Sequence, residues 1–303
     1  MCGYRVEAGC LVVSGDPVGP DDSIGRVCSE LRAFARERGL RIAVVNASEG
    51  FASIWREAGL RSLYMGDEAM VGTDFSLEGR AIRKVRQSVN RLERAGYSAE
   101  FVRLGTLPRR ELGQLEALAR TARDERPIDG FSSAMESLRG AHQSDSLLLL
   151  ARDSDHQAQG FLHFVPCYGR PAASLSTMCH APATPNGLTE FMVVRALAAL
   201  RGDGIQEVSL NYAALSRYIH SPRRRHERVL GRVATLLEPL FQIDSLYRFN
   251  AKFSPRWQPR FLVYERRGLP RAAVAVLLAE GLIQRVRLRP SPKRLRPELP
   301  API

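Results

Sequence analysis

Residues 173–200 read ASLSTMCHAPATPNGLTEFMVVRALAAL. The run to His180 is of strand type, and APATPNG supplies the Pro, Asn and Gly of a loop. LTEFMVVRALAAL then predicts a helix with an acid in its first turn. α/β folds hold ligands at such corners, because the first N–H groups of the helix lack intrahelical acceptors and face whatever lies beyond the strand.

Working outward, Gly202-Asp203-Gly204 stops this helix and 208–211 (VSLN) is the next strand. Upstream, 147–152 and 160–166 (GFLHFVP) are strands joined by a hairpin turn at 153–159, the second pairing with the 174–178 run. Residues 98–104 form a strand and 108–126 a helix carrying Leu112, Leu115, Leu118 and Ala119 to a core. A break at 127–131, a helical turn at 134–138 and a loop at 142–145 follow. Nearer the start, 5–14 is a strand and 15–20 is dense turn punctuation. Asp21, Asp22 and Ser23 cap a helix to about Arg38 with Ile24, Val27, Leu31 and Phe34 as its apolar stripe, and Gly39 stops it. Residues 41–46 are a buried strand, 51–58 a helix ended by Gly59, and 60–75 one or two strands around Gly66-Asp67-Glu68. Strand and helix alternate throughout, the pattern of an α/β fold. Two such halves meet near residue 105, so the expected division is 1–104, 105–265 with the ligand cleft, and a basic C-terminal helix and tail at 266–303.

Composition narrows the partners. The chain has 303 residues, 45% apolar and 25% charged, ordinary for a globular protein with a sizeable core. Its 44 Lys and Arg against 32 Asp and Glu give a net charge of +12. A bias toward arginine codons explains the residue type but not the imbalance, which attracts nucleic acid, anionic lipid or a phosphorylated ligand. Cys2, Cys10, Cys28, Cys167 and Cys179 are scattered, without a C-x-x-C pair. That argues against a disulfide framework or a structural metal site and for a reducing compartment. No signal-peptide pattern and no run of ~18–20 apolar residues is present, so the chain reads as cytoplasmic or peripheral at the inner membrane face.

The charge is concentrated. Residues 76–96 predict a helix with Leu77, Ala81, Val85, Val89 and Leu92 inward. Arg80, Arg83, Lys84, Gln87, Arg91 and Arg94 form a ridge about 20 Å long. With only Glu78 and Glu93 as partners, a polyanion contact is favoured over a solvated face. A further basic stretch, 217–232, holds Arg223-Arg224-Arg225-His226, and 236–246 is helical. In 247–261, YRFNAKFSPRWQPRF, cations alternate with aromatics. That suits a ligand with phosphate and flat bases, or equally a packed aromatic segment with snorkelling arginines. A strand at 261–265 precedes an apolar helix at 272–283. With arginines on both sides, that helix lies on an anionic membrane or caps the domain.

Four stretches carry a family resemblance: 14–19 (SGDPVG); 66–69 (GDEA) with 75–80 (FSLEGR) and 83–87 (RKVRQ); 186–192 (NGLTEFM); and 247–261. In this order they resemble the soluble synthase domain of the phosphatidylglycerol lysyltransferase family, of multiple peptide resistance factor type, over residues 4–265. The resemblance implies two tandem acetyltransferase-like (GNAT) folds with mixed sheets flanked by helices. It also implies transfer of an aminoacyl group from aminoacyl-tRNA to phosphatidylglycerol, without coenzyme A. In stand-alone actinobacterial relatives it implies a small-molecule acceptor instead. The first strand follows Met1 closely where the family has a longer run-in, so the chain reads as starting inside the first fold or as belonging to a longer open reading frame.

Site residues follow from the resemblance and from the chemistry of an activated ester, which needs phosphate-holding cations and oxyanion stabilisation. Glu190, matching a family acid, is expected to bind the α-amino group of the donor, with Ser176 and Asn211 beside it in the catalytic corner. Arg248, Lys252, Arg256, Arg260, Tyr212, Asn186 and Gly187 are expected to bind substrate, and Arg80, Arg83, Lys84, Arg91 and Arg94 to bind tRNA. Two positions depart from the family pattern Leu-Asp-Leu-Met-Arg: here 175–179 reads LSTMC, placing Ser176 for the acid and Cys179 for the arginine. An altered substrate, or a non-catalytic relative that binds tRNA or anionic membrane, stays open beside the transferase. Coenzyme A-dependent acetyl transfer is disfavoured, because 181–187 lacks the glycine-rich pyrophosphate loop.

Overall fold

Ala8 and Gly9 take positive φ, 47° and 73°, and there the 5–14 run folds into a hairpin of β1 (Gly3–Glu7) and β2 (Cys10–Ser14) instead of one strand. The computed structural model describes residues 1–124, 138, 145–214, 243–281 and 283. The readings at 127–131, 217–232 and the C-terminal tail, and most of those at 134–138, 142–145 and 236–246, lie outside the described residues.

The hairpin leads into α1 (Ile24–Glu37), β3 (Arg41–Ser48), α2 (Glu49–Glu57) and β4 (Arg61–Gly72). Gly39 and Gly59, at φ 62° and 88°, end the two helices. Leu40 and Leu60 each donate back to a carbonyl five residues earlier, Ala35 and Trp55. β4 passes straight through Gly66-Asp67-Glu68, so of the one or two strands expected over 60–75 there is one. Gly66 serves there for closeness: a Cβ would stand 2.7 Å from Tyr212 Cε2 and 2.9 Å from Ala214 Cα.

α3 spans Arg83–Arg94, seven residues shorter at its start than the 76–96 reading. Gly79 at φ 90° breaks the helical path, and Arg86 donates to the Leu77 carbonyl at 2.7 Å. Ala81 is consequently exposed and Ile82 is buried in its place. β5 (Ser98–Arg103), α4 (Arg109–Asp124), β6 (Leu147–Arg152), β7 (Ala158–Cys167), β8 (Ala172–His180), α5 (Leu188–Gly202) and β9 (Glu207–Ala214) follow. The described chain ends with α6 (Ile243–Ala251), β10 (Arg256–Tyr264) and α7 (Leu269–Ala279).

The ten strands form one mixed sheet in the order β1-β2-β3-β10-β4-β9-β8-β7-β6-β5. A repeat is visible in it. β1, β2, α1, β3, α2 and β4 recur as β7, β8, α5, β9, α6 and β10, each with an antiparallel hairpin followed by a parallel strand. The last strands are exchanged: β10 pairs with β3, β4 pairs with β9, and β10 and β4 pair with each other at the centre. Residue 105 falls between β5 and α4, in the stretch that links the repeats.

Helices cover both faces. α3 and α5 bury Val85, Val89, Leu92, Phe191, Met192 and Leu200 against β6–β9, and α1 and α2 cover β2, β3 and β10. α4 lies over β6–β8 with Leu115. α7 buries Ala272, Ala275, Val276 and Ala279 on Cys10, Val12, Ala43 and Val45, so this face caps the sheet, while Val274 is exposed. Among the described residues no helix is long and apolar enough to cross a membrane.

His163 sits in β7 at 2% exposure, and neither ring nitrogen has a hydrogen-bond partner. Burial lowers its pKa to about 4. The unfolded chain takes up this proton near pH 6.5 and the folded protein only near 4, so folding stability is complete above pH 6.5 and falls toward pH 4, by about 3 kcal/mol from this group. Chemical denaturation of His163→Phe should show that part of the pH dependence gone. A slope identical to that of the unsubstituted protein would refute the assignment.

Candidate active site

β8 and β9 are hydrogen-bonded only from Ala172↔Glu207 to Ser174↔Ser209. Their counterparts in the first repeat, β2 and β3, stay paired over five residues, from Cys10↔Arg41 to Ser14↔Val45. The second repeat therefore opens into a fork past Ser174, and the first does not. Two irregularities shape it. On β8, Leu175 and Thr177 oppose consecutive β7 residues, leaving Ser176 as a bulge. On β9, the register slips between Ser209 and Tyr212, and Asn211 adopts φ 82°. Asn211 then clips the two prongs: its Nδ2 donates to the Leu175 carbonyl at 3.4 Å, its N–H to Ser209 Oγ at 3.2 Å, and its Oδ1 accepts the Tyr212 N–H at 3.2 Å.

The head of α5 stands over the fork. Gly187, at φ 89°, is its N-cap. Thr184 Oγ1 lies 3.1 Å from His180 Nδ1 and donates to the Ala181 carbonyl at 3.0 Å, pinning the 181–187 loop and engaging His180 in it. Arg91 of α3 donates to the Asn186 carbonyl. A Cβ on Gly187 would lie 2.5 Å from Ser88 Oγ and 2.7 Å from Ser88 Cβ. Gly187→Ala should therefore part α3 from α5 and cost about 2 kcal/mol, read by thermal unfolding; unchanged stability would contradict this packing. In the first turn of α5, Glu190 Oε1 accepts from Lys252 Nζ at 2.6 Å, the carboxylate side chain 15% exposed and the lysine 41%. An acid here also gains from the helix dipole.

Residues 1–264 match the family described as phosphatidylglycerol lysyltransferase, C-terminal. The chain belongs to that family. It is 38% identical over 289 residues to the lysylphosphatidylglycerol biosynthesis bifunctional protein LysX of Nocardia farcinica, covering 93% of this chain and 26% of the relative. The chain thus spans about a quarter of the length of the curated relatives it matches. Among solved structures, L-PGS from Bacillus licheniformis superposes with a TM-score of 0.74 at 20% identity, over 93% of this chain and 86% of that one. The C-terminal domain of a putative lysylphosphatidylglycerol synthetase from Agrobacterium fabrum gives 0.72 at 24% identity, over 93% and 87%. The α/β fold is shared with both.

Within this member of the phosphatidylglycerol lysyltransferase family, the expected site residues separate into groups. Ser176, Asn211 and Tyr212 lie on the prongs, Asn186, Gly187 and Glu190 at the head of α5, and Lys252 just beyond α6 reaches Glu190. Arg248 lies exposed on α6. Arg256 pairs with Glu207, the first residue of β9, at the closed end of the fork. Arg260 donates to Glu68 Oε2, from Nε at 2.8 Å, and is 15% exposed. Both arginines are thus engaged by carboxylates, Arg260 largely buried and Arg256 still 63% exposed. Cys179, 4% exposed, points into the α4-side core with Leu115, Leu148 and Phe161. The alternating aromatics of 247–261 resolve toward packing: Tyr247 stacks on Trp257 at 4.7 Å, Phe253 is buried, and Phe249 meets it edge-on.

Sequence reasoning missed Glu68 as a site residue. It accepts from Ser209 Oγ at 2.6 Å as well as from Arg260, and Arg260 Nη1 lies 4.0 Å from Asp16 Oδ2. A polar row Asp16–Arg260–Glu68–Ser209–Asn211 thereby crosses the sheet to the fork. The available signal was an acid inside a strand-length run, hidden by its neighbour Gly66. Arg80, just before α3, and Arg83, Lys84 and Arg94 on it are exposed and have no ion-pair partner among the described residues, while Glu93 pairs with Arg195 of α5. Among the described residues no cluster of His, Cys, Asp and Glu is placed to hold a metal ion.

Proposed function

We propose that the β8–β9 fork transfers an aminoacyl group from aminoacyl-tRNA to a hydroxyl of phosphatidylglycerol, or to a related hydroxyl or amine, without coenzyme A. The observation that carries this reading is the Glu190–Lys252 contact at the head of α5: a carboxylate 15% exposed already holds an ammonium at 2.6 Å. The α-ammonium of an aminoacyl ester is the same kind of ligand. The acceptor oxygen attacks the ester carbonyl, the tRNA 3′ oxygen leaves with the acceptor's proton, and the amino acid stays oriented by its ammonium. N–H groups at the forked strand ends and at the α5 terminus are the oxyanion donors this reading uses.

Arg83, Lys84 and Arg94 of α3, without an ion-pair partner among the described residues, support tRNA as the donor. Arg83 and Lys84 occupy the first helical turn, where the macrodipole disfavours positive charge, so an external anion relieves a local cost. α3 packs on α5 through Ser88 and Gly187, and its Arg91 reaches the Asn186 carbonyl at the head of α5. The relatives' name, lysylphosphatidylglycerol biosynthesis protein, supports the lipid acceptor. Ser176, where the family pattern has an acid, favours an altered acceptor as the second reading. The test is transfer of labelled amino acid from lysyl-tRNA to phosphatidylglycerol vesicles, run beside a panel of other charged tRNAs and a cell extract. Label in lipid supports the first reading, label in a soluble product the second, and no transfer from any donor overturns both.

A further inference from the structure

We propose that a cavity of about 270 Å³ where α1, α2 and β10 end is a second anion site, built for a small phosphate ester. Three guanidinium groups line it, Arg32 and Arg36 of α1 and Arg266 of the turn after β10, against one carboxylate, Glu265. Among the described residues none of these three arginines has an ion-pair or hydrogen-bond partner for its side chain. Elsewhere Arg56, Arg103, Arg152, Arg195, Arg256 and Arg260 all find carboxylates. Glu265 is itself engaged, its Oε1 accepting the Ile42 N–H at 3.2 Å.

Helix C-termini ordinarily repel anions through their unpaired carbonyls. Here those carbonyls are occupied. Ala35 and Arg36 accept from Leu40 and Gly39, and Trp55 and Arg56 accept from Leu60 and Gly59. The same Gly-Leu-Arg stop ends both helices, and the leucine of each, Leu40 and Leu60, forms an apolar wall of the cavity. Cations on one side and leucines on the other suit a phosphate carrying a short organic body. The volume is at the small end for ligand pockets and fits a glycerol phosphate better than a polynucleotide backbone, which follows a ridge.

β10 is antiparallel to β4, β4 is antiparallel to β9, and β9 is parallel to β8. The carboxyl ends of β8, β9 and β10 therefore point the same way, and the cavity lies at the same end of the sheet as the open fork. Its anion binding is independent of the transfer chemistry proposed for that fork.

The probe is glycerol 3-phosphate, titrated calorimetrically into the full chain, with co-sedimentation on phosphatidylglycerol/phosphatidylcholine vesicles as a second arm. The variant is Arg32→Gln/Arg36→Gln/Arg266→Gln. A charge-matched control, Arg109→Gln/Arg110→Gln/Arg120→Gln, removes exposed arginines of α4. Unfolding curves verify that both fold. Saturable binding by the unsubstituted chain and the control, weakened at least tenfold in the cavity variant, supports the site. Vesicle binding lost in step assigns a bilayer headgroup, and vesicle binding retained assigns a free phosphate ester. Absence of saturable binding, or equal loss in the control, overturns it.

Discussion

Glu190→Gln is expected to lower kcat/KM for aminoacyl transfer about a hundredfold, with the unfolding midpoint little changed. The side chain keeps its shape and one acceptor oxygen, so the head of α5 is undisturbed. What it loses is the charge that binds an ammonium. Charge-assisted hydrogen bonds are roughly twice as strong as neutral ones, and a hundredfold corresponds to about 2.7 kcal/mol of transition-state stabilisation. Lys252 makes the result diagnostic. It holds Glu190 at 2.6 Å, and in the proposed reaction it competes with the incoming ammonium. Lys252→Met should lower KM for the aminoacyl donor while Glu190→Gln raises it. Steady-state kinetics with a fixed acceptor read both, and a Glu190→Gln protein that retains half its activity would remove Glu190 from the site.

The second large effect concerns Arg260. Its side chain and that of Glu68 are 15% and 17% exposed, and Glu68 also holds Ser209 beside the Asn211 clip. Arg260→Met leaves a largely buried carboxylate without its cation, and should cost about 3 kcal/mol. Glu68→Met/Arg260→Met removes both charges together and should recover most of that loss, because well-packed apolar side chains replace an ion pair at little net cost. Urea unfolding of the two single variants and the double variant gives the coupling directly. If Arg260 instead served substrate, its removal would depress activity with stability intact, and the double variant would rescue nothing.

These two residues also show how far the sequence could be read. Glu190 was legible because its context is local: a loop, a glycine cap and an acid in the first turn of a periodic helix. Arg260 was read as substrate-binding from a run that alternates cations with aromatics, and the carboxylate it pairs with lies 192 residues away in sequence. No periodicity reports a contact at that separation. The α/β pattern was legible for the same reason as Glu190, since burial alternates within each element. The strand exchange was not, because β4 and β10 look like ordinary buried strands whichever neighbour they take. The start of α3 failed on backbone grounds: Leu77 and Ala81 fit the apolar stripe, but Gly79 at φ 90° takes the chain off the helical path. The fork depends on unpaired backbone and on one asparagine in a left-handed conformation, neither of which composition reveals.

The exchanged strand also sets an order of events at the ribosome. β3 and β4 are complete early in synthesis, yet the strand that joins them is β10, which ends at Tyr264. Until it emerges, β3 and β4 each present an unpaired edge where β10 will lie, the condition in which nascent chains pair wrongly with each other. A chain stopping before Arg256 leaves both of those edges open, and the insertion of one late strand seals them at once.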